Sequence, residues 1–181
     1  MKNTLISSTI LASSLLLSTL SYANTDDANH WSVGAGRYVF TLSSDNDYEN
    51  DDTFSGYNLT AGYAPNNHFQ VRASYFSLEN HDYNDLDSTG YDLMAYGGVG
   101  FTQRGFRGYG GAGFFSEEWK FLSVSESFSG LQLGGGIGYN WGQVALDFVI
   151  RFRQADKYED FISESGTYVA GSGNLNVSYL F

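Results

Sequence analysis

The strongest constraint in this chain is a two-residue rhythm, clearest in the stretch YVAGSGNLNVSYLF from Tyr168 to Phe181. Leu175, Val177, Tyr179 and Phe181 share one face, while Ser172, Asn174, Asn176, Ser178 and Leu180 share the other. Successive side chains of a strand point to opposite sides, so this is a strand with one apolar and one mostly polar face. The rhythm recurs along the chain. Trp31–Leu42 reads as a first strand, with Tyr38, Phe40 and Leu42 opposite Arg37. Tyr57, Leu59, Ala61 and Tyr63 alternate with Gly56, Asn58, Thr60 and Gly62 in a second, and Phe69, Val71, Ala73 and Tyr75 with Gln70, Arg72 and Ser74 in a third. A fourth puts Tyr91, Leu93, Ala95, Val99 and Phe101 outward and Asp92, Met94, Tyr96 and Gly98 opposite. The fifth, Phe106–Ser116, carries Gly and aromatics on both faces, so its phase stays open. In the sixth, Leu131, Leu133, Ile137, Tyr139 and Trp141 oppose Gln132, Gly134, Gly136, Gly138 and Asn140. In the seventh, Val144, Leu146, Phe148, Ile150 and Phe152 oppose Asp147, Arg151 and Arg153.

Long polar connections (Ser43–Thr53, Glu79–Ser88, Glu117–Ser129, Gln154–Gly166) alternate with short turns at Ala64–His68, Thr102–Gly105 and Gly142–Gln143. The strand count is then an even eight, with both ends on the short-turn side, as in an antiparallel up-and-down transmembrane β-barrel whose long loops face outward. Aromatics sit near both ends of the apolar faces: Tyr57, Tyr75, Tyr91 and Phe152 towards the loops, Tyr63, Phe69, Phe101, Tyr139, Trp141 and Phe181 towards the turns. Such belts lie where amphipathic rings meet lipid headgroups. Energy fixes which face is which. Turning the seventh strand over would put Arg151 and Arg153 into lipid, at about 2–4 kcal/mol for each Arg near the midplane. Closure also removes the open edges that hydrocarbon cannot satisfy.

Mean hydropathy is modest at −0.26, and no stretch after the N-terminal segment could span a bilayer as a helix. A barrel's period-2 pattern is compatible with that. The absence of Cys excludes disulfides, thiolate metal sites and a Cys nucleophile. At the N-terminus, Lys2, the apolar Leu5–Leu20 and the small-x-small site Ser21-Tyr22-Ala23 read as a cleavable signal peptide. The expected division is residues 1–23 signal peptide, 24–29 a short polar lead-in and 30–181 the barrel domain.

The terminal Phe181, with Leu175, Val177 and Tyr179 at alternate positions before it, resembles the ending of bacterial outer-membrane β-barrels. The chain from residue 30 onward is similar to the small eight-stranded group that includes the OmpA transmembrane domain and the OmpX/Ail proteins. That resemblance implies a location in the cell outer membrane among lipid and lipopolysaccharide. It implies that the barrel-assembly machinery reads Leu175, Val177, Tyr179 and Phe181. It also implies a monomer that uses no cofactor, is not an enzyme, and serves envelope structure or binds a surface ligand. No peptidoglycan-binding domain is expected after Phe181, so a tethering role is not implied.

Four features could carry chemistry. Arg37, Arg72, Asp92, Asp147, Arg151 and Arg153 are expected to face inward, where an eight-stranded barrel is just filled by side chains. They read as a charge network plugging the lumen, with a polar gate or ion path as the functional alternative. Gly on the inner faces of the fourth and sixth strands could instead open a pocket for a small ligand. The loops hold most of the carboxylates behind a net charge of −11. Asp45, Asp47, Glu49, Asp51 and Asp52 have the spacing of a divalent-cation loop without the Gly and final Glu of an EF-hand. A solvated anionic surface, or Ca²⁺ and Mg²⁺ bridging to lipopolysaccharide phosphates, reads as well; nucleic acid is excluded as a partner by this charge. Gly108-Tyr109-Gly110-Gly111-Ala112-Gly113 matches GxGxxG but opens no helix. His81 with Ser88 is the one pairing that could serve an outer-side acyl hydrolase acting on lipid A.

Overall fold

The computed structural model describes residues 29–44, 52–80, 86–121, 124–155 and 168–181. Eight antiparallel strands follow in chain order: β1 (Trp31–Ser44), β2 (Asp52–Asn66), β3 (Phe69–Asn80), β4 (Leu86–Val99), β5 (Gly105–Phe121), β6 (Val124–Asn140), β7 (Val144–Arg153) and β8 (Tyr168–Leu180). Each pairs with its neighbour, and β8 pairs with β1 to close the barrel. Trp31 and Phe181 exchange two backbone hydrogen bonds of 2.9 Å at the seam.

The register sets the shape. A path followed straight across the strands runs Trp31, Tyr63, Val71, Ala95, Ala112, Leu133, Phe152, Gly171 and returns to β1 at Thr41, ten residues from its start. With a rise of about 3.3 Å per residue and a spacing of about 4.8 Å between strands, that stagger requires a tilt of about 40°. At such a tilt, about ten residues cross the hydrocarbon core. The 17 residues of β5 and of β6 therefore carry their hairpin beyond it.

Turns at one end are tight. Asn66 Oδ1 accepts the His68 amide at 2.8 Å, the self-bonding expected of Asn in turns. Gly142, between β6 and β7, has φ of +110°, which only Gly adopts at no cost. The outer face is a continuous band of exposed apolar side chains, among them Leu59, Val71, Leu93, Leu133, Ile137, Ile150 and Val177. Tyr57, Tyr75, Tyr91 and Phe152 stand out from it near the loop end, Tyr63, Phe69, Tyr139 and Phe181 near the turn end.

Four expectations are corrected. On β1 the phase is reversed: Tyr38, Phe40 and Leu42 face inward and Arg37 faces out. Its guanidinium lies 4.9 Å from the centroid of the Tyr57 ring, its partner across the strands. A long side chain at the level of that Tyr can keep its charge in the headgroup layer. Phe101 is not in the turn-side belt but buried, in the bend after β4. The expected loop Glu117–Ser129 is mostly strand, because β5 runs to Phe121 and β6 begins at Val124. Above the membrane a hairpin needs no apolar face, so polar residues there do not mark a loop. Asp52 likewise opens β2 opposite Leu42. The open phase of β5 is settled by its register: Ala112 pairs with outward-facing Ala95, so Arg107, Tyr109, Phe115, Glu117 and Trp119 point inward.

Candidate functional site: the barrel interior

The interior has two compartments. At the loop end, Tyr38, Phe40, Leu42, Phe54, Phe76, Leu78, Phe115, Trp119, Phe128 and Ala170 form one buried cluster. Phe54 and Trp119 lie 4.8 Å apart between ring centroids, Trp119 and Phe128 5.1 Å, and Tyr38 stacks on Phe76 at 5.0 Å. Six strands (β1, β2, β3, β5, β6 and β8) supply it, Leu86 of β4 packs against it, and Arg153 of β7 reaches into it from below. The Arg153 guanidinium lies within 5.0 Å of the ring centroids of Phe40, Phe76 and Phe115.

Beneath the aromatic layer runs a ladder of charge pairs. Arg153 donates from Nη1 to Glu117 Oε2 at 2.7 Å and from Nη2 to the Tyr38 hydroxyl at 2.8 Å, with Asp92 Oδ1 at 3.4 Å. Asp92 also faces Arg151 at 3.9 Å, and Arg151 donates to the hydroxyl of Tyr96 and to Asn174 Oδ1. Nearer the turns, Asp147 accepts from Arg107 at 3.1 Å and from the Tyr109 hydroxyl at 3.0 Å, while Arg72 Nη2 lies 3.6 Å away. Arg72 donates to Gln70 Oε1 and to the Tyr109 hydroxyl. These side chains are almost wholly buried. An ion in so low a dielectric is tolerated only when paired and hydrogen-bonded.

Space for the ladder comes from the inner face of β6. A Cβ at Gly136 would meet the Tyr109 ring at 2.8 Å, one at Gly134 the Arg151 side chain at 2.8 Å, and one at Gly138 the Asp147 carboxylate at 2.7 Å. The glycines of β6 that could have lined a ligand pocket are covered by these three side chains.

The structure thus brings together Arg72, Asp92, Asp147, Arg151 and Arg153 of the expected lumen charges and leaves Arg37 outside. It adds Arg107, Glu117, Tyr38, Tyr96 and Tyr109, which the sequence reading did not single out. Arg107 offered a signal: an Arg on a barrel strand favours the interior. Two residues inside a turn, however, it could equally have reached the headgroups. Ser88 is fully buried and donates to Glu117 Oε2 at 3.3 Å, so its hydroxyl belongs to the ladder rather than to an outer-side nucleophile. The GxGxxG segment is part of β5. Leu175, Val177, Tyr179 and Phe181 project outward along β8. Residues 1–28, Asp45, Asp47, Glu49, Asp51, His81 and most of the expected fourth loop lie outside the described residues. Among the described residues no group of three or more His, Cys, Asp or Glu could hold a metal.

A closed sheet with an apolar exterior ringed by aromatics, and an interior of paired charges under an aromatic cap, is a membrane-spanning β-barrel. The chain belongs to the family of outer membrane protein β-barrel domains, whose profile matches residues 9–181; it is an integral protein of the outer membrane. Among solved structures it is similar to neisserial surface protein A (17% identity, 83% of this chain and 97% of that one, TM-score 0.61). It is similar also to the attachment invasion locus protein Ail of Yersinia pestis (21% identity, 85% and 99%, TM-score 0.57). The N-terminal β-barrel domain of Pseudomonas aeruginosa OprF matches at 19% identity over 83% and 97%, with a TM-score of 0.51. At these identities the likeness is one of fold. No curated protein sequence matches the chain.

Proposed function

We propose that the protein is a non-enzymatic, non-conducting monomeric barrel that acts through its loop-side surface, in envelope structure or in attachment. The observation that supports this is the seal: an aromatic layer assembled from six strands lies across the lumen, over charge pairs whose side chains are almost wholly buried. Ions would have to break several pairs to pass. The filled space over Gly134, Gly136 and Gly138 argues in the same direction against a ligand-passage barrel. Burial of Ser88 argues against lipid A chemistry.

The partner chemistry follows from charge. Ten of the chain's 20 Asp and Glu fall in the connections at the loop end, with Asp52, Glu79, Asp87, Glu118 and Glu126 on the strand ends beside them. Ail of Yersinia pestis has been crystallised with the heparin analogue sucrose octasulfate. For this chain, the carboxylates favour a cationic partner, or lipopolysaccharide phosphates bridged by divalent cations at Asp45, Asp47, Glu49, Asp51 and Asp52. Leu175, Val177, Tyr179 and Phe181 serve as the signal read by the barrel-assembly machinery.

Planar-bilayer recording tests the seal. The wild-type barrel should give no reproducible channel. Channels whose conductance changes on Arg72→Ala or Arg151→Ala would defeat the proposal. Whole-cell binding to candidate surfaces, with and without the first and fourth loops, tests the surface role. Lipid A mass spectra should be identical whether the protein is expressed or deleted.

A further inference from the structure

The two ends of the charge ladder are not equally balanced. Near the loops, Arg151 and Arg153 face Asp92 and Glu117, two cations against two anions. Near the turns, Arg72 and Arg107 share the single carboxylate of Asp147. Tyr109 bonds to both Asp147 and Arg72 but brings no charge. Among the described residues, this end of the interior therefore carries one positive charge more than its partners cancel.

The excess falls on Arg107. Arg72 spends its donors on Gln70 and Tyr109. Arg107 donates from Nη1 to Asp147, whereas its Nε and Nη2 are buried with no hydrogen-bond partner among the described residues. The residue is 1% exposed. Nε–H and one Nη2–H project side by side from one edge of the planar guanidinium, the edge that meets two oxygens of a carboxylate or a phosphate. A buried charge with two unused parallel donors is costly to leave so. We infer that this edge of Arg107 is a binding site for a small oxyanion with two adjacent oxygens, a carboxylate or inorganic phosphate, reached from the turn end of the barrel. Arg107 lies two residues inside β5. The bend before it carries Phe101, whose ring lies 5.6 Å from the guanidinium and 5.3 Å from Tyr109. Gly100 and Gly105, with φ of +87° and +126°, flank that bend.

Nuclear magnetic resonance of the isotope-labelled barrel in micelles tests this, with the Arg Nε–H signals followed through titrations at constant ionic strength. Sodium phosphate and sodium acetate are added separately, with sodium chloride as the balancing salt. The Arg107 signal should shift saturably with at least one oxyanion, while exposed Arg37 does not follow. Response to phosphate alone identifies inorganic phosphate, to acetate alone a carboxylate, and to both the shared two-oxygen chemistry. By calorimetry, Arg107→Lys, which keeps the charge and loses the paired donors, should weaken binding by about 10-fold or more. The inference is overturned by no saturable shift with either anion, by Arg37 moving in parallel, or by unchanged affinity in Arg107→Lys. The titration of the wild-type chain decides the matter even if the variant does not fold.

Discussion

Replacing Arg153 with Met keeps much of the side-chain volume and removes the charge that ties the aromatic layer to the ladder. Glu117, 2% exposed, then loses its 2.7 Å partner, and Asp92 keeps Arg151 at 3.9 Å as its one cation among the described residues. Breaking a buried pair from one side costs about 3–5 kcal/mol, because the stranded charge has no water to turn to. Three phenyl rings lose a cation at 4.8–5.0 Å, each contact being worth about 0.5–2 kcal/mol. The upper part of the 3–5 kcal/mol range is therefore expected. Removing both partners should be milder, since apolar or neutral replacements of a whole pair are often close to neutral. Arg153→Met with Glu117→Gln should recover enough to show a coupling of about 2–3 kcal/mol in a double-mutant cycle. Urea unfolding in lipid vesicles, followed by tryptophan fluorescence and by gel migration without boiling, measures all four proteins at comparable slopes. If Arg153→Met costs less than about 1 kcal/mol, the value of an exposed pair, or if the cycle is additive, the ladder does not hold the barrel together as argued.

Arg37→Ala should leave the unfolding midpoint within experimental scatter, because Arg37 faces outward over Tyr57; a loss comparable to that of Arg153→Met would return it to the interior. Gly136→Ala places a methyl against Tyr109 and should cost about 1–3 kcal/mol by overpacking, as read by the same unfolding assay. Phe181→Ala should lower the folded, heat-modifiable fraction in cells while leaving refolding in detergent unchanged, which separates assembly from stability; equal losses in both would mean the side chain acts in packing alone.

How much of this was legible depends on what each strand faces inside. β7 could be phased because Asp147, Arg151 and Arg153 cannot face lipid while Phe148, Ile150 and Phe152 can. β1 could not, because its inward residues Tyr38, Phe40 and Leu42 belong to the aromatic layer and look like lipid-facing ones. The two-letter code of apolar outside and polar inside fails wherever the lumen is itself apolar. Phe101 misled for the same reason, being an aromatic near a turn that packs on Tyr109 rather than on lipid. For β5 the sequence held no answer, with Gly and rings on both faces; the pairing of Ala112 with Ala95 supplies it. Glu117 was hidden by its neighbours, since Glu117, Glu118 and Lys120 together look like a surface run. Only the strand alternation separates Glu117, inside with Arg153, from Glu118, outside with Lys120 at 3.2 Å.

The cap over the lumen is made of side chains anchored on strands, from Phe40 on β1 to Ala170 on β8. The proposed seal therefore belongs to the wall and not to the connections between the strands. On that reading the connections could be lengthened, shortened or changed in sign without opening the lumen, which leaves the tip of the barrel free of any sealing duty.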